Sequence, residues 1–151
     1  MNDAPIVSQP IEDLQLLEDS EAATIDLDPV FTDVDNAGLA YSVSLSSEGI
    51  ISAEVNSSML TLTTLPDQNG GPISVTVSAN DQMGRLVASD IFDVTVTAVN
   101  DAPVSSDVSV NMDEDGIKSI IPDVEDIDSP SLSYVIAVSY THLTLPTICS
   151  V

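Results

Sequence analysis

The chain has 151 residues, of which 25 are acidic and 2 basic, for a formal net charge of −23. Phosphate backbones and anionic lipid surfaces are bound through Lys and Arg, so this balance excludes nucleic acid and direct membrane contact as functions. A charge of this size also strains a compact fold by self-repulsion unless cations neutralise it.

The hydrophobic fraction is 43 % and the apolar residues are patterned, which argues for a folded chain. Period-two alternation marks the strands. The first is a short strand at Leu14–Leu17. Ala23/Ile25/Leu27 follow, then Leu39, Tyr41, Val43 and Leu45 with Ala40, Ser42 and Ser44 between them. Ile51/Ala53/Val55 and Leu60/Leu62 are shorter versions. Ile73, Val75, Val77 and Ala79 then alternate with Ser and Thr, as do Phe92, Val94, Val96 and Ala98 with Asp93, Thr95 and Thr97. Turn-forming clusters at 35–38, 66–72 and 80–84 separate the runs. No segment carries a helical stripe or an apolar run long enough to span a bilayer. Seven short strands with regular turns predict an all-β, seven-stranded Greek-key sandwich of the Ig/cadherin-like class. Its core must be aliphatic, because aromatics are only 3 % and Trp is absent.

Asn2-Asp3-Ala4-Pro5 returns as Asn100-Asp101-Ala102-Pro103, 98 residues later. One sandwich domain needs about 100 residues, so the motif reads as a linker between tandem domains. The match continues: Leu17-Glu18-Asp19, Asp33-Val34-Asp35 and Leu39-Ala40-Tyr41 are echoed by Asp113-Glu114-Asp115, Asp126-Ile127-Asp128 and Leu132-Ser133-Tyr134. The offset falls from 98 at the linker to 93 at the Asp-x-Asp pair, as small loop deletions would produce. The expected organisation is one repeat over 1–99 and the N-terminal part of a second over 100–137, up to its third strand. Met1 runs straight into the linker, so it reads as an internal position of a longer protein.

Residues 138–151 read differently. Val138–Thr147 resembles the translation of a transposon-end adapter used in short-read DNA sequencing. The codons GTC TCT TAT ACA CAT CTG ACG CTG CCG ACG give those residues in order, and a later GTG TAG supplies Val151 and a stop. This segment is expected to be a non-native tail. His142 and Cys149, the chain's only His and Cys, fall within it. The remainder then lacks the parts for a Ser-His-Asp or Cys-His arrangement and for zinc held by His or Cys.

The acids cluster at strand ends in close pairs: Glu18-Asp19, Asp33/Asp35, Asp67, Asp81 and Asn100-Asp101. Carboxylates at that density repel one another unless a cation bridges them. Calcium suits them, because it takes 6–8 oxygen ligands from carboxylates, amides and carbonyls.

Over residues 1–137 the chain resembles the cadherin-like repeats of large bacterial surface proteins, close to tandem repeats of about 95 residues with an NDAP linker, related to dystroglycan-type cadherin domains. Glu18 matches the Glu after the first strand, Asp33-Val34-Asp35 the D-x-D, Asp67 the Asp before the sixth strand, and Ala79-Asn80-Asp81 the A-x-D that ends it. Ala98-Val99-Asn100-Asp101-Ala102-Pro103 matches the linker. The resemblance implies Ca2+ at domain junctions, held by Asn2, Asp3, Asp33, Asp35 and Asp81 at one junction and by Glu18, Asp67, Asn100, Asp101, Asp126 and Asp128 at the next. Glu114 would serve a third. Asn69, Ala98 and Ala102 replace oxygen ligands of the pattern, which implies fewer ions per junction than a full cadherin set.

The expected function is a calcium-stiffened structural spacer in an extracellular surface protein or adhesin. Its partners are adjacent repeats of the same polypeptide, with cell-surface proteins or glycans met through other domains. The alternative is a carbohydrate-binding or accessory sandwich module of a secreted multidomain protein. Sugar sites usually offer an aromatic platform. Only Phe31, Tyr41, Phe92 and Tyr134 precede the tail, and Tyr41 and Phe92 read as core. Paired carboxylates can also hydrolyse glycosides. Here, however, the acids repeat at the domain period, so an enzyme is not expected.

Overall fold

The computed structural model describes residues 2–36, 38–83, 87–113 and 115–135. Glu114 and the tail 138–151, with His142 and Cys149, lie outside them. The chain divides into two units, Met1–Asn100 and Asp101–Val151, and the division falls inside the repeated Asn-Asp-Ala-Pro motif.

Among the described residues there is no helix, and the first unit is built from nine strands. They are β1 (Ile6–Val7), β2 (Leu14–Leu17), β3 (Ala23–Asp26), β4 (Phe31–Thr32), β5 (Ala40–Leu45), β6 (Ile51–Asn56), β7 (Met59–Thr64), β8 (Gly70–Asn80) and β9 (Val87–Thr97). All seven expected strands are present, as β2, β3 and β5–β9. One sheet has the order β2-β9-β8-β5 and the other β3-β7-β6, while β1 pairs with β4. β2 runs parallel to β9, and the other pairings are antiparallel. The chain changes sheets between β2 and β3, between β3 and β5, between β5 and β6 and between β7 and β8, which gives the crossings of a Greek-key sandwich.

The alternation seen in the sequence is the alternation of burial. Ile73, Val75, Val77 and Ala79 of β8 and Phe92, Val94 and Val96 of β9 point inward to meet Ile51, Leu60 and Leu62 of the other sheet. Phe31, which follows the loop after β3, joins this core and packs against Tyr41 with ring centroids 6.0 Å apart. β5 is an edge strand, and its alternating residues Tyr41, Val43 and Leu45 are only half-buried.

Two boundaries differ from the expectation. The Gly-Gly-Pro segment read as a turn begins β8, and the register shifts between Gly70 and Ile73 as in a β-bulge. Gly71 has φ 116°, and a Cβ there would stand 2.8 Å from the Val94 carbonyl oxygen. A side chain is therefore excluded by the neighbouring strand, not by a turn. β9 begins at Val87, five residues ahead of the first alternating residue, Phe92.

The β6–β7 hairpin turns through Ser57 and Ser58, with Asn56 paired to Met59. Ser57 has φ 58°, a region that costs an L-residue with a side chain about 1–2 kcal/mol and that hairpins usually fill with Gly. Ser57→Gly should therefore raise the unfolding free energy by about 1 kcal/mol, read as a higher urea midpoint at unchanged m.

The second unit contains β10 (Val104–Ser105) paired antiparallel with β11 (Val124–Glu125). It reproduces the β1–β4 pairing of the first unit, with β10 offset from β1 by 98 residues and β11 from β4 by 93. These are the offsets of the sequence repeat. The strand expected at Leu132–Ile136 does not form over its described residues, 132–135. Its counterpart β5 is held by pairing with β8, and no described strand of the second unit corresponds to β8. A strand without a partner leaves its backbone groups to solvent.

Candidate metal centre

β8 runs between the polar clusters at the two ends of the first unit. Asp81 follows its last residue and Asn69 precedes its first, so the two lie about 40 Å apart along the strand.

At the Asp81 end the structure brings together Asn2, Asp3, Asp33, Asp35 and Asp81, the full set assigned to that junction. Asp33 heads an Asx-turn, and its Oδ1 accepts from the amides of Asp35 (2.8 Å) and Asn36 (2.9 Å). Asp35 Oδ2 accepts from the amide of Asp3 at 2.8 Å. Asn2 Nδ2 donates to Asp81 Oδ2, and Asn36 Nδ2 donates to the Asp81 carbonyl at 2.6 Å. Asp81 is fully buried, and its Oδ1 also takes the amide of Met83 at 3.0 Å. Asn36 was not singled out in the sequence, although it directly follows the Asp-x-Asp pair.

These residues fit a hard cation. The donors are carboxylate, amide and carbonyl oxygens, the chemistry calcium takes. Asp33 Oδ2 is buried without a hydrogen-bond partner. A buried, unpaired carboxylate oxygen is costly unless something positive meets it.

At the other end Glu18 is 2 % exposed, although it is an acid. Its Oε1 accepts from the Val99 amide at 2.6 Å and its Oε2 from Asn69 Nδ2 at 3.0 Å, while its own amide donates to the Thr97 carbonyl. Asn69, which replaces an acid of the pattern, thus donates to one. Asp67 is joined by Asp19, which sequence reasoning passed over in favour of Glu18. The Asp67 amide donates to Asp19 Oδ1 at 3.2 Å, and the two have φ 54° and 55°. Asn100 is the last residue of this unit.

The second unit repeats three hydrogen bonds of the first acid loop. Asp126 Oδ1 accepts from the amides of Asp128 (2.9 Å) and Ser129 (2.8 Å), and Asp128 Oδ2 accepts from the Asp101 amide at 2.6 Å. Asp101, Asp126 and Asp128 therefore stand as Asp3, Asp33 and Asp35 do.

No family model and no curated protein matches this chain. Among solved structures it is similar to an endo-fucoidan hydrolase of glycoside hydrolase family 107, at 21 % identity and a TM-score of 0.45, over 64 % of this chain and 14 % of that one. It is also similar to a chimeric titin Z1Z2 functionalised with a peptide from decorin, at 17 % identity and a TM-score of 0.45, over 66 % of this chain and 99 % of that one. A third is titin Z1Z2 in complex with telethonin, at 16 % identity and a TM-score of 0.43, over 71 % of this chain and 54 % of that one. The chain thus spans about a seventh of the hydrolase.

Elsewhere on the first unit, Tyr41 donates its hydroxyl to Asp28 Oδ1 at 3.2 Å. Burial, then the hydrogen bond to Asp28 and the charges of Asp28 and Asp26, push its phenol up to about 12 from 10.0. The folded state favours the neutral phenol. That contribution to stability is intact below pH 10 and is lost as pH rises through about 12. Ultraviolet titration should show a tyrosine ionising near pH 12 in the folded protein, and Asp28→Asn should lower its midpoint.

Proposed function

We propose that this protein is a spacer repeat of an extracellular surface protein or adhesin, stiffened where calcium joins successive units. The observation that carries the reading is the duplicated acid loop. Asp3/Asp33/Asp35 and Asp101/Asp126/Asp128 make the same hydrogen bonds in two consecutive units. A single active site gives no reason to copy a carboxylate constellation once per domain, whereas a junction does.

Asn2, Asp3, Asp33, Asp35 and Asp81 would hold the ion at one junction. Glu18, Asp67 and Asn100, with Asp101, Asp126 and Asp128 of the next unit, would serve the following one. The ion supplies positive charge that relieves carboxylate repulsion. The chain's own residues prepare for it: Asn36 and the Asp33 turn hold the loop in place, and Glu18 fixes the strand end that leads into the linker by gripping the Val99 amide. Extracellular modules bind calcium at about 10⁻⁴–10⁻³ M. At about 1 mM ion this contributes roughly 0.4–1.4 kcal/mol per site, enough to bias a hinge.

Small-angle scattering tests the mechanical step on two complete tandem repeats. The maximum dimension should lengthen and its spread narrow at about 1 mM calcium, and chelator should reverse both. A dimension indifferent to chelator would contradict the spacer reading.

A further inference from the structure

A cavity of about 480 Å³ opens on the first unit where the edge strand β5 of one sheet meets the β6–β7 hairpin of the other. Its wall includes Asp28, Tyr41, Val55, Ser57, Ser58 and Gln82. Its volume falls within the range of small-molecule sites. None of these residues belongs to the acid clusters described above.

Two features set this cavity apart from an ordinary surface dent. Five described non-glycine residues have positive φ, and two of them, Ser57 at 58° and Gln82 at 60°, line this one cavity. Such backbone persists only where the surroundings enforce it, and it gathers at ligand-holding sites. The second feature is Tyr41, whose ring anchors on Phe31 while its hydroxyl is tied to Asp28. An aromatic ring and a carboxylate are thereby held together at one wall.

We infer that this cavity binds a neutral mono- or disaccharide. Each sugar hydroxyl both donates and accepts, so it needs a wall that does both. Ser57, Ser58 and Gln82 supply hydroxyl and amide groups of that kind, Asp28 supplies a strong acceptor, and Tyr41 and Val55 supply apolar surface for the C–H faces. An ammonium ligand would use only acceptors and would leave the serine and glutamine donors without a task. An anionic sugar is repelled by Asp26, Asp28 and the net charge of −23. The site is independent of the calcium reading, and either could fail alone.

Ligand-observed saturation-transfer NMR on the full chain tests it, with glucose, galactose, mannose and N-acetylglucosamine as neutral probes, glucuronate as the anionic probe and putrescine as the cationic one. At least one neutral sugar should bind with a millimolar constant, and glucuronate should not. Asp28 is exposed, so Asp28→Ala should keep the fold, checked by circular dichroism, and should weaken binding about tenfold or more. Ser57→Gly should also bind more weakly while being the more stable protein, a combination that a purely structural role for the hairpin would not produce. Three results would each overturn the assignment: no neutral sugar bound at tens of millimolar, affinity unmoved by both Asp28→Ala and Gln82→Ala, or binding of putrescine alone.

Discussion

Replacing Phe92 with alanine should lower the unfolding free energy by about 3–5 kcal/mol. Aromatics are only 3 % of this chain, so its core has few large side chains to share the load. Phe92 is 2 % exposed in β9, opposite Val75 of β8, in the core between the two sheets. Its neighbours are the β-branched Val75, Val77 and Val94, whose stiff side chains close poorly over a void. The loss combines the forfeited transfer energy of the ring with the energy of the residual cavity. A small domain is stable by only about 5–15 kcal/mol, so this one change would remove a large fraction of the margin. Urea denaturation should show a much lower midpoint with m unchanged, and Phe92→Leu should recover most of the difference. A Phe92→Ala loss below about 1 kcal/mol would mean that β9 is not a central strand of the core.

Glu18→Ala should cost about 2–4 kcal/mol, a large effect for a charged residue next to a loop. Surface carboxylates seldom matter to this degree, but Glu18 is 2 % exposed and both of its oxygens are engaged. Removing them leaves the Val99 amide and the Asn69 side-chain amide without their acceptor, and hydrogen bonds to a charged group are the strong ones. The loss is also directional. Val99 lies between the end of β9 and the Asn100-Asp101 motif, so the freed segment is the one that enters the linker. Amide hydrogen exchange should rise at residues 97–99 more than in β8, whereas a global loss of stability would raise both. Glu18→Gln keeps one acceptor oxygen and should fall between the parent and the alanine variant.

The seven long strands were legible in the sequence because each exposes one face and buries the other, so Val, Ile and Leu alternate with Ser, Thr and Asp. β1 and β4 were not legible, since two residues carry no period. The start of β8 is not legible in the sequence because Gly70-Gly71-Pro72 is turn chemistry by composition. Only the neighbouring strand, through the Val94 carbonyl, shows that glycine is there for close approach. Tyr41 alternates like a core residue and does pack on Phe31, but its strand is at a sheet edge, so its hydroxyl reaches Asp28 and a cavity.

Within the candidate site, Asp33, Asp35, Asp126 and Asp128 are legible from a repeated spacing and Asp81 from its place at a strand end, and the hydrogen bonds of the two Asp-x-Asp loops are duplicated with that spacing. Asp13 and Asp90 gave no such signal. They accept from the amides of Asp93 and Ile11, about 80 residues away, and so fasten chain segments that no local pattern relates. The pairing of Asp19 with Asp67 was hidden for the same reason.

The central claim is that these loops are built around a divalent ion, and calorimetric titration of calcium into the chain, in about 0.15 M monovalent salt to screen diffuse attraction, tests it most directly. The account predicts saturable binding with a constant of about 0.1–1 mM and a rise in Tm of roughly 2–10 °C at about 1 mM ion. Magnesium, which dehydrates reluctantly, should be taken up more weakly, and Asp33→Asn combined with Asp35→Asn should diminish the calcium response by disabling one of the two acid loops while Asp126 and Asp128 keep the other. Featureless heats with no change in Tm, or a response that the double substitution leaves intact, would contradict it.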